Sequence, residues 1–137
     1  MSDGEDQNGG CLCGKVRFAF TGTALWTAHC HCRSCRRNTG AAVATFVGVG
    51  EKSFRWAGTS PQVFESSRGV YRSFCATCGG ALTYVADRYP GEVHINIGAL
   101  DHPEAFVPKV HVWTEEALPW LHIADNAPRH ARTVRAP

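Results

Sequence analysis

The sequence lacks any long run of apolar residues. Its most apolar window, residues 41–49, is far shorter than the about 20 residues that a membrane-spanning helix needs. The first six residues are acidic and polar, without the basic segment and apolar core of a secretory signal peptide. We therefore expect a soluble, cytoplasmic protein that has no membrane partner.

The sequence also lacks a strong excess of charge of either sign. Fourteen Lys and Arg stand against twelve Asp and Glu, which gives a net charge of +2. A nucleic-acid-binding surface is typically strongly basic, or interleaves basic with aromatic residues along a strand. Neither pattern is present, so nucleic acid is not the expected partner. The oligomeric state does not follow from the sequence.

No long amphipathic helix is evident, and the 14 glycines and 7 prolines favour short strands joined by turns. Apolar residues at every second position of residues 15–20 predict a half-buried strand. Residues 41–49, mostly small or β-branched, predict a strand buried on both faces. Further strands are predicted at residues 24–28, 53–56, 62–65, 70–74, 81–85, 92–97 and 107–113, with a helical turn ended by Gly40 and a closing element at 118–123.

These elements predict one mostly β domain of short strands over residues 10–128. Residues 1–9 read as a disordered leader, because they are polar and rich in glycine and acidic residues. Residues 129–137 read as a loosely ordered basic tail.

Seven cysteines dominate the chemistry of the chain. An odd number cannot all form disulfides, and closely spaced cysteines in a reducing compartment more often bind metal. The pairs Cys11/Cys13 and Cys75/Cys78 can together supply the four thiolates of a closed, structural zinc site. A different grouping, Cys30/Cys32 with Cys75/Cys78, is not excluded by the spacing alone.

The central cysteines Cys30, Cys32 and Cys35 can place three sulfurs around a second zinc and leave one position open. Nearby arginines would lower the pKa of these thiols. A zinc with three thiolate ligands is suited to hold a further thiol in its nucleophilic form. Two other interpretations stay open: a structural site completed by His29 or His31, and a redox-sensing cluster.

Three cysteine motifs, at residues 10–14, 30–40 and 74–79, together resemble the glutathione-dependent formaldehyde-activating enzyme family, as does the segment from His111 to Pro128. The resemblance covers residues 10–128 and implies a tent-like fold of β-sheets pinned by zinc. It implies a structural zinc on Cys11, Cys13, Cys75 and Cys78. It also implies a catalytic zinc on Cys30, Cys32 and Cys35.

The resemblance further implies a carbon–sulfur lyase that handles the adduct of glutathione and formaldehyde, S-hydroxymethylglutathione, or a related pair of thiol and carbonyl. In this hypothesis Arg33 or Arg36 would orient a carboxylate of the thiol substrate, and His31 is a candidate proton carrier. The alternative hypothesis is a non-enzymatic zinc scaffold that binds protein or nucleic acid, because family members that resemble centromere protein V keep the same zinc fold in a chromosome-associated context.

Overall fold

The computed structural model describes residues 5–134. Within this range the chain forms ten strands and one α-helix, α1 (Arg33–Thr39). The strands are β1 (Asp6–Gly10), β2 (Val16–Thr21), β3 (Trp26–Cys30), β4 (Ala44–Gly50), β5 (Phe54–Gly58), β6 (Gln62–Ser67), β7 (Val70–Phe74), β8 (Ala81–Ala86), β9 (Glu92–Asn96) and β10 (Val110–Val112). The prediction of a mostly β protein is confirmed.

The strands form two sheets. The smaller sheet has the order β1-β2-β5, and the larger has the order β10-β3-β4-β9-β8-β7-β6. Neighbouring strands are antiparallel except β10, which pairs with β3 in parallel. A parallel pair needs a long connection, and here the intervening chain forms most of the larger sheet.

The core lies between the two sheets. The alternation in β2 places Val16, Phe18 and Phe20 inward, where each is at most 1% exposed. They belong to one buried cluster that also contains Val47 of β4 and Ile95 of β9. As predicted, β4 is buried along most of its length.

A close approach between β3 and β4 requires a glycine. The ring of Trp26 lies so close to Gly48 that a Cβ atom built there would come within 2.2 Å of it. Any larger residue at position 48 would therefore displace Trp26, which also lines the cavity described below.

The two ends of the chain differ from prediction. Residues 6–9 are not a disordered leader: they lie in β1, which pairs with β2 along its whole length. At the other end, the backbone of Arg129 forms an isolated β-bridge with that of His111. The start of the predicted loose tail is therefore packed on the fold. Residues 1–4 and 135–137 lie outside the described residues.

Two further elements also differ. The last strand is three residues long, Val110–Val112, rather than residues 107–113, and residues 118–123 form no helix or strand. The Trp120 side chain is 65% exposed and does not anchor a closing element. Among the described residues, no helix has the length and apolarity needed to cross a membrane.

Candidate metal centres and the adjoining cavity

The first cysteine cluster joins two distant turns. Cys11 and Cys13 precede β2, and Cys75 and Cys78 lie between β7 and β8. The sulfurs of Cys11 and Cys13 are 3.6 Å apart, those of Cys13 and Cys75 are 3.8 Å apart, and all four lie within 4.8 Å of one another. Since tetrahedral Zn–S bonds of ~2.3 Å place sulfurs ~3.8 Å apart, this cluster fits a zinc ion.

Backbone N–H groups surround the same sulfurs. Val16 N donates to Cys11 Sγ (3.3 Å), and Thr77 N and Cys78 N donate to Cys75 Sγ (3.4 and 3.5 Å). Desolvation raises the pKa of Cys11, but the hydrogen bonds from Val16 and from the neighbouring thiols outweigh it and lower this pKa to about 6. The turn that carries Cys75 and Cys78 is therefore shaped to support thiolates.

The second cluster lies where β3 passes into α1. Cys30 ends the strand, Cys32 is the N-cap of the helix and Cys35 lies in its first turn. Cys32 Sγ accepts a hydrogen bond from Cys35 N (3.3 Å), and the sulfurs of Cys30 and Cys35 are 3.6 Å apart. The helix ends at Gly40, with φ 72°, as predicted, but it begins at Arg33 because Cys32 caps it.

The three sulfurs of this second cluster also lie within 4.8 Å of one another. The separation of Cys30 and Cys35 again matches that of ligands around one zinc ion. Hydrogen bonds from the Cys30 and Cys35 thiols lower the pKa of Cys32 far below the usual thiol value. The alternative grouping of Cys30 and Cys32 with Cys75 and Cys78 is wrong. The structure brings Cys30 and Cys32 together with Cys35 instead.

A buried arginine accompanies the second cluster. Arg72 of β7 is 5% exposed, and its two Nη atoms lie 3.8 and 3.9 Å from Cys35 Sγ. Its Nε donates to Ser66 Oγ (3.1 Å), and its guanidinium lies 5.0 Å from the centroid of the Tyr84 ring. Within residues 5–134 it forms no ion pair with a carboxylate. The cysteine sulfur is therefore the nearest group that can carry the compensating negative charge.

Sequence reasoning missed Arg72 because it concentrated on the arginines adjacent to the cysteines. The available signal was an arginine inside a predicted strand, at a position that faces the sheet interior. Of the two predicted substrate-binding arginines, Arg33 is exposed, and Arg36 Nη1 donates to the backbone oxygens of His31 (2.5 Å) and Glu116 (2.6 Å). Neither lines the cavity beside the cluster.

A chain of hydrogen bonds runs behind the second cluster. Asp125 accepts from His111 Nε2 (2.9 Å), and His111 Nδ1 lies 2.9 Å from His31 Nε2. The hydrogen bond from His111 lowers the pKa of Asp125 to about 2. His111 is 1% exposed and His31 is 5% exposed. The chain thus ties the C-terminal segment to the backbone between Cys30 and Cys32.

A cavity of about 460 Å³ opens beside the second cluster and is lined by Cys30, Cys32 and Cys35. Aromatic side chains, among them Trp26, Phe46, Tyr84 and Trp113, form much of its wall. Trp113 has φ 57° and ψ 38°, and it is the single non-glycine residue with positive φ among those described. Such strain in a residue other than glycine is commonly found at functional sites.

Residues 6–116 match the family described as glutathione-dependent formaldehyde-activating enzyme. The chain belongs to this family. The matched segment contains all seven cysteines and Arg72, and it ends before Asp125. The family assignment therefore covers both cysteine clusters and most of the cavity wall.

A solved protein structure has a fold similar to the one described above. A crystal structure of a protein from Rhodobacter sphaeroides is similar with a TM-score of 0.58 and 24% sequence identity, over 69% of this chain and 87% of that chain. At this identity the similarity concerns the fold alone. No curated protein matches the chain.

Proposed function

We propose that this member of the glutathione-dependent formaldehyde-activating family is a zinc-dependent carbon–sulfur lyase that acts on the adduct of a small thiol and an aldehyde. One observation carries the proposal: the three sulfurs of Cys30, Cys32 and Cys35 lie on the wall of a cavity of about 460 Å³. Purely structural zinc sites are closed by four protein ligands, whereas catalytic sites keep one position open.

In the proposed reaction a thiol and an aldehyde combine within the cavity. The thiol sulfur forms a bond to the carbonyl carbon, and the π electron pair of the carbonyl moves to its oxygen. That oxygen takes up the proton that the thiol has lost, so the product contains every atom of the two reactants. The lyase direction is the reverse. A zinc ion held by Cys30, Cys32 and Cys35 would supply the lowered thiol pKa that this step requires.

The residues around the cluster have separate parts in this proposal. Arg72 balances negative charge on the sulfurs, which favours the entry of a further thiolate. The chain from Asp125 through His111 to His31 holds the peptide between Cys30 and Cys32 in place, as hydrogen-bonded partners do for metal ligands. His31 is not among the residues that line the cavity, so we assign it to positioning rather than to proton transfer.

For the first cluster we propose a structural zinc on Cys11, Cys13, Cys75 and Cys78. It would join the start of β2 to the turn between β7 and β8, two segments about sixty residues apart. Because four thiolates leave no open position, this ion would contribute to folding and not to the reaction. Reduced thiols and bound zinc suit the cytoplasm, which we propose as the compartment.

The test combines zinc stoichiometry with adduct formation. The parent protein is expected to contain two zinc ions and to accelerate the reaction of a thiol with formaldehyde, followed by NMR of the adduct. Cys32→Ser is expected to retain one zinc ion and the circular dichroism spectrum of the parent. It should not accelerate the reaction. The exposed Lys52→Gln serves as a matched control and should behave as the parent. One zinc in parent and Cys32→Ser alike, with no acceleration by either, would rule the lyase out.

A further inference from the structure

The wall of the cavity is largely hydrocarbon. Besides the cysteines, the side chains that enclose it include Trp26, Phe46, Val70, Tyr84, Val112 and Trp113. Placing an amide or a charge against such a wall without a hydrogen-bond partner costs free energy. Glutathione carries two amides, two carboxylates and one ammonium group. A ligand with an aromatic or branched apolar body matches this wall better than a peptide does.

The ionic groups on the wall are few, and most already have partners. Arg72 is directed at Cys35 and Ser66. Glu116 accepts a hydrogen bond from the backbone N–H of Arg33 (2.8 Å). Arg88 is the remaining guanidinium on the wall. Its Nη2 lies 3.3 Å from the neutral Tyr84 hydroxyl, and it forms no ion pair with a carboxylate of residues 5–134.

Arg88 is also accessible and positioned by aromatic neighbours. Its side chain belongs to an exposed residue, and its guanidinium lies 5.1 Å from the centroid of the Tyr89 ring. A planar guanidinium supported in this way can bind one carboxylate through two parallel hydrogen bonds. The cavity therefore offers one anion site, Arg88, on the same wall as the three sulfurs.

Trp113 gives part of this wall a fixed position. Its N–H donates to Arg132 O (3.1 Å), and its carbonyl accepts from Glu116 N (3.0 Å). These bonds fix the backbone of Trp113, which is one of the residues that line the cavity. A preformed aromatic surface favours a rigid apolar ligand, because little ordering is needed when the ligand binds.

From these observations we infer that the cavity selects a thiol with a single carboxylate and an aromatic or branched apolar body, in which Arg88 pairs with the carboxylate. This inference rests on the proposed function, since it names the thiol that would react there. The inferred thiol differs from glutathione because it has one anionic group and no peptide bond.

The test uses four thiols that vary these features separately. One, 3-phenyl-2-sulfanylpropanoate, has a phenyl ring and one carboxylate. The others are 2-phenylethanethiol, which lacks the carboxylate, 2-sulfanylsuccinate, which has two carboxylates and no ring, and glutathione. Binding to the zinc-loaded protein is measured by calorimetry and by the fluorescence of the tryptophans that line the cavity.

The phenyl monoacid is expected to bind about tenfold more tightly than each of the other three, a difference of about 1.4 kcal/mol. In Arg88→Gln, 3-phenyl-2-sulfanylpropanoate and 2-phenylethanethiol should bind with about the same affinity. The affinity for 2-phenylethanethiol should be the same as in the parent protein. Lys52→Gln removes a positive charge elsewhere and should preserve the tenfold ratio. Tighter binding of glutathione, or a ratio unaffected by Arg88→Gln, overturns the inference.

Adduct formation with formaldehyde separates this inference from the lyase reaction. If glutathione binds best and its adduct forms faster, the lyase stands and the inferred ligand class is wrong. If the phenyl monoacid binds as expected but no adduct forms faster, the ligand class stands and the lyase is wrong. If no thiol binds, both are wrong.

Discussion

Arg72 is expected to control the affinity of the second cysteine cluster for zinc. Three thiolates and one Zn²⁺ carry a net charge of −1, which the Arg72 guanidinium beside Cys35 cancels. At the 3.8 Å that separates Nη1 from Cys35 Sγ, unit charges attract by about 4 kcal/mol at an effective dielectric constant of about 20, before the cost of desolvation is subtracted. Replacing Arg72 with Met retains the bulk of the side chain and removes this charge.

The measured loss should be smaller than the full attraction, because the variant no longer has to desolvate a buried guanidinium. Changes to groups that support metal ligands typically reduce metal affinity about 10–100-fold, and we expect Arg72→Met to fall in this range. Arg72→Lys keeps the charge and should lose less affinity than Arg72→Met.

The assay is competition for zinc with a colorimetric chelator, in which the two sites release their ions in separate phases. The phase of the Cys11/Cys13/Cys75/Cys78 site is an internal control and should be the same in all three proteins. An unchanged second phase in Arg72→Met would refute the reasoning, because it would show that the guanidinium does not stabilise the thiolates. A shift in both phases would instead indicate general destabilisation of the fold.

Four further predictions concern stability and binding. Cys75→Ser should lower the midpoint of thermal unfolding by on the order of 10 °C or more, since it removes a ligand of the proposed structural zinc; calorimetry checks this. Trp113→Gly should be more stable to urea than Trp113→Ala by about 1 kcal/mol, because only glycine adopts positive φ without strain. The hydrogen bond from His111 is the chief cause of the lowered pKa of Asp125, and this lowered pKa stabilises the fold above pH 3.8. The free energy of unfolding in urea should therefore be larger for the parent than for Asp125→Asn. This difference should shrink as the pH falls from 3.8 towards about 2. Mixed-sequence DNA should not bind even at low salt, and salt-dependent binding would instead favour the scaffold hypothesis.

The sequence predicted those features that local patterns determine. The period-two alternation located β2, and the apolar run at residues 41–49 located β4. The two glycines after Cys78 indicated the turn of the β7–β8 hairpin. Cysteine spacing also predicted which thiols act in pairs, because Cys-x-Cys and Cys-x-x-Cys segments each place two sulfurs on one side of a tight turn. It left open how the pairs group, and the fold decides that.

Features that depend on distant partners could not be predicted in this way. Residues 6–10 have low strand propensity, and they form β1 because β2 offers a free edge for hydrogen bonding. Arg72 and Cys35 are separated by 37 positions, and His31 and His111 by 80. Only the fold brings these pairs together. The arginines closest to the cysteines in sequence point elsewhere for the same reason.

The parallel pairing of β10 with β3 has a consequence for the order in which the protein is made. During synthesis, the residues of the first cluster are complete once Cys78 has left the ribosome, so the zinc proposed for this site can bind early. The strand Val110–Val112, which pairs with the strand carrying Cys30, is added only after residue 112 has emerged. If the first cluster binds zinc as proposed, the nascent protein acquires a zinc-stabilised core while Cys30, Cys32 and Cys35 are still open to solvent, and the cavity closes around them later.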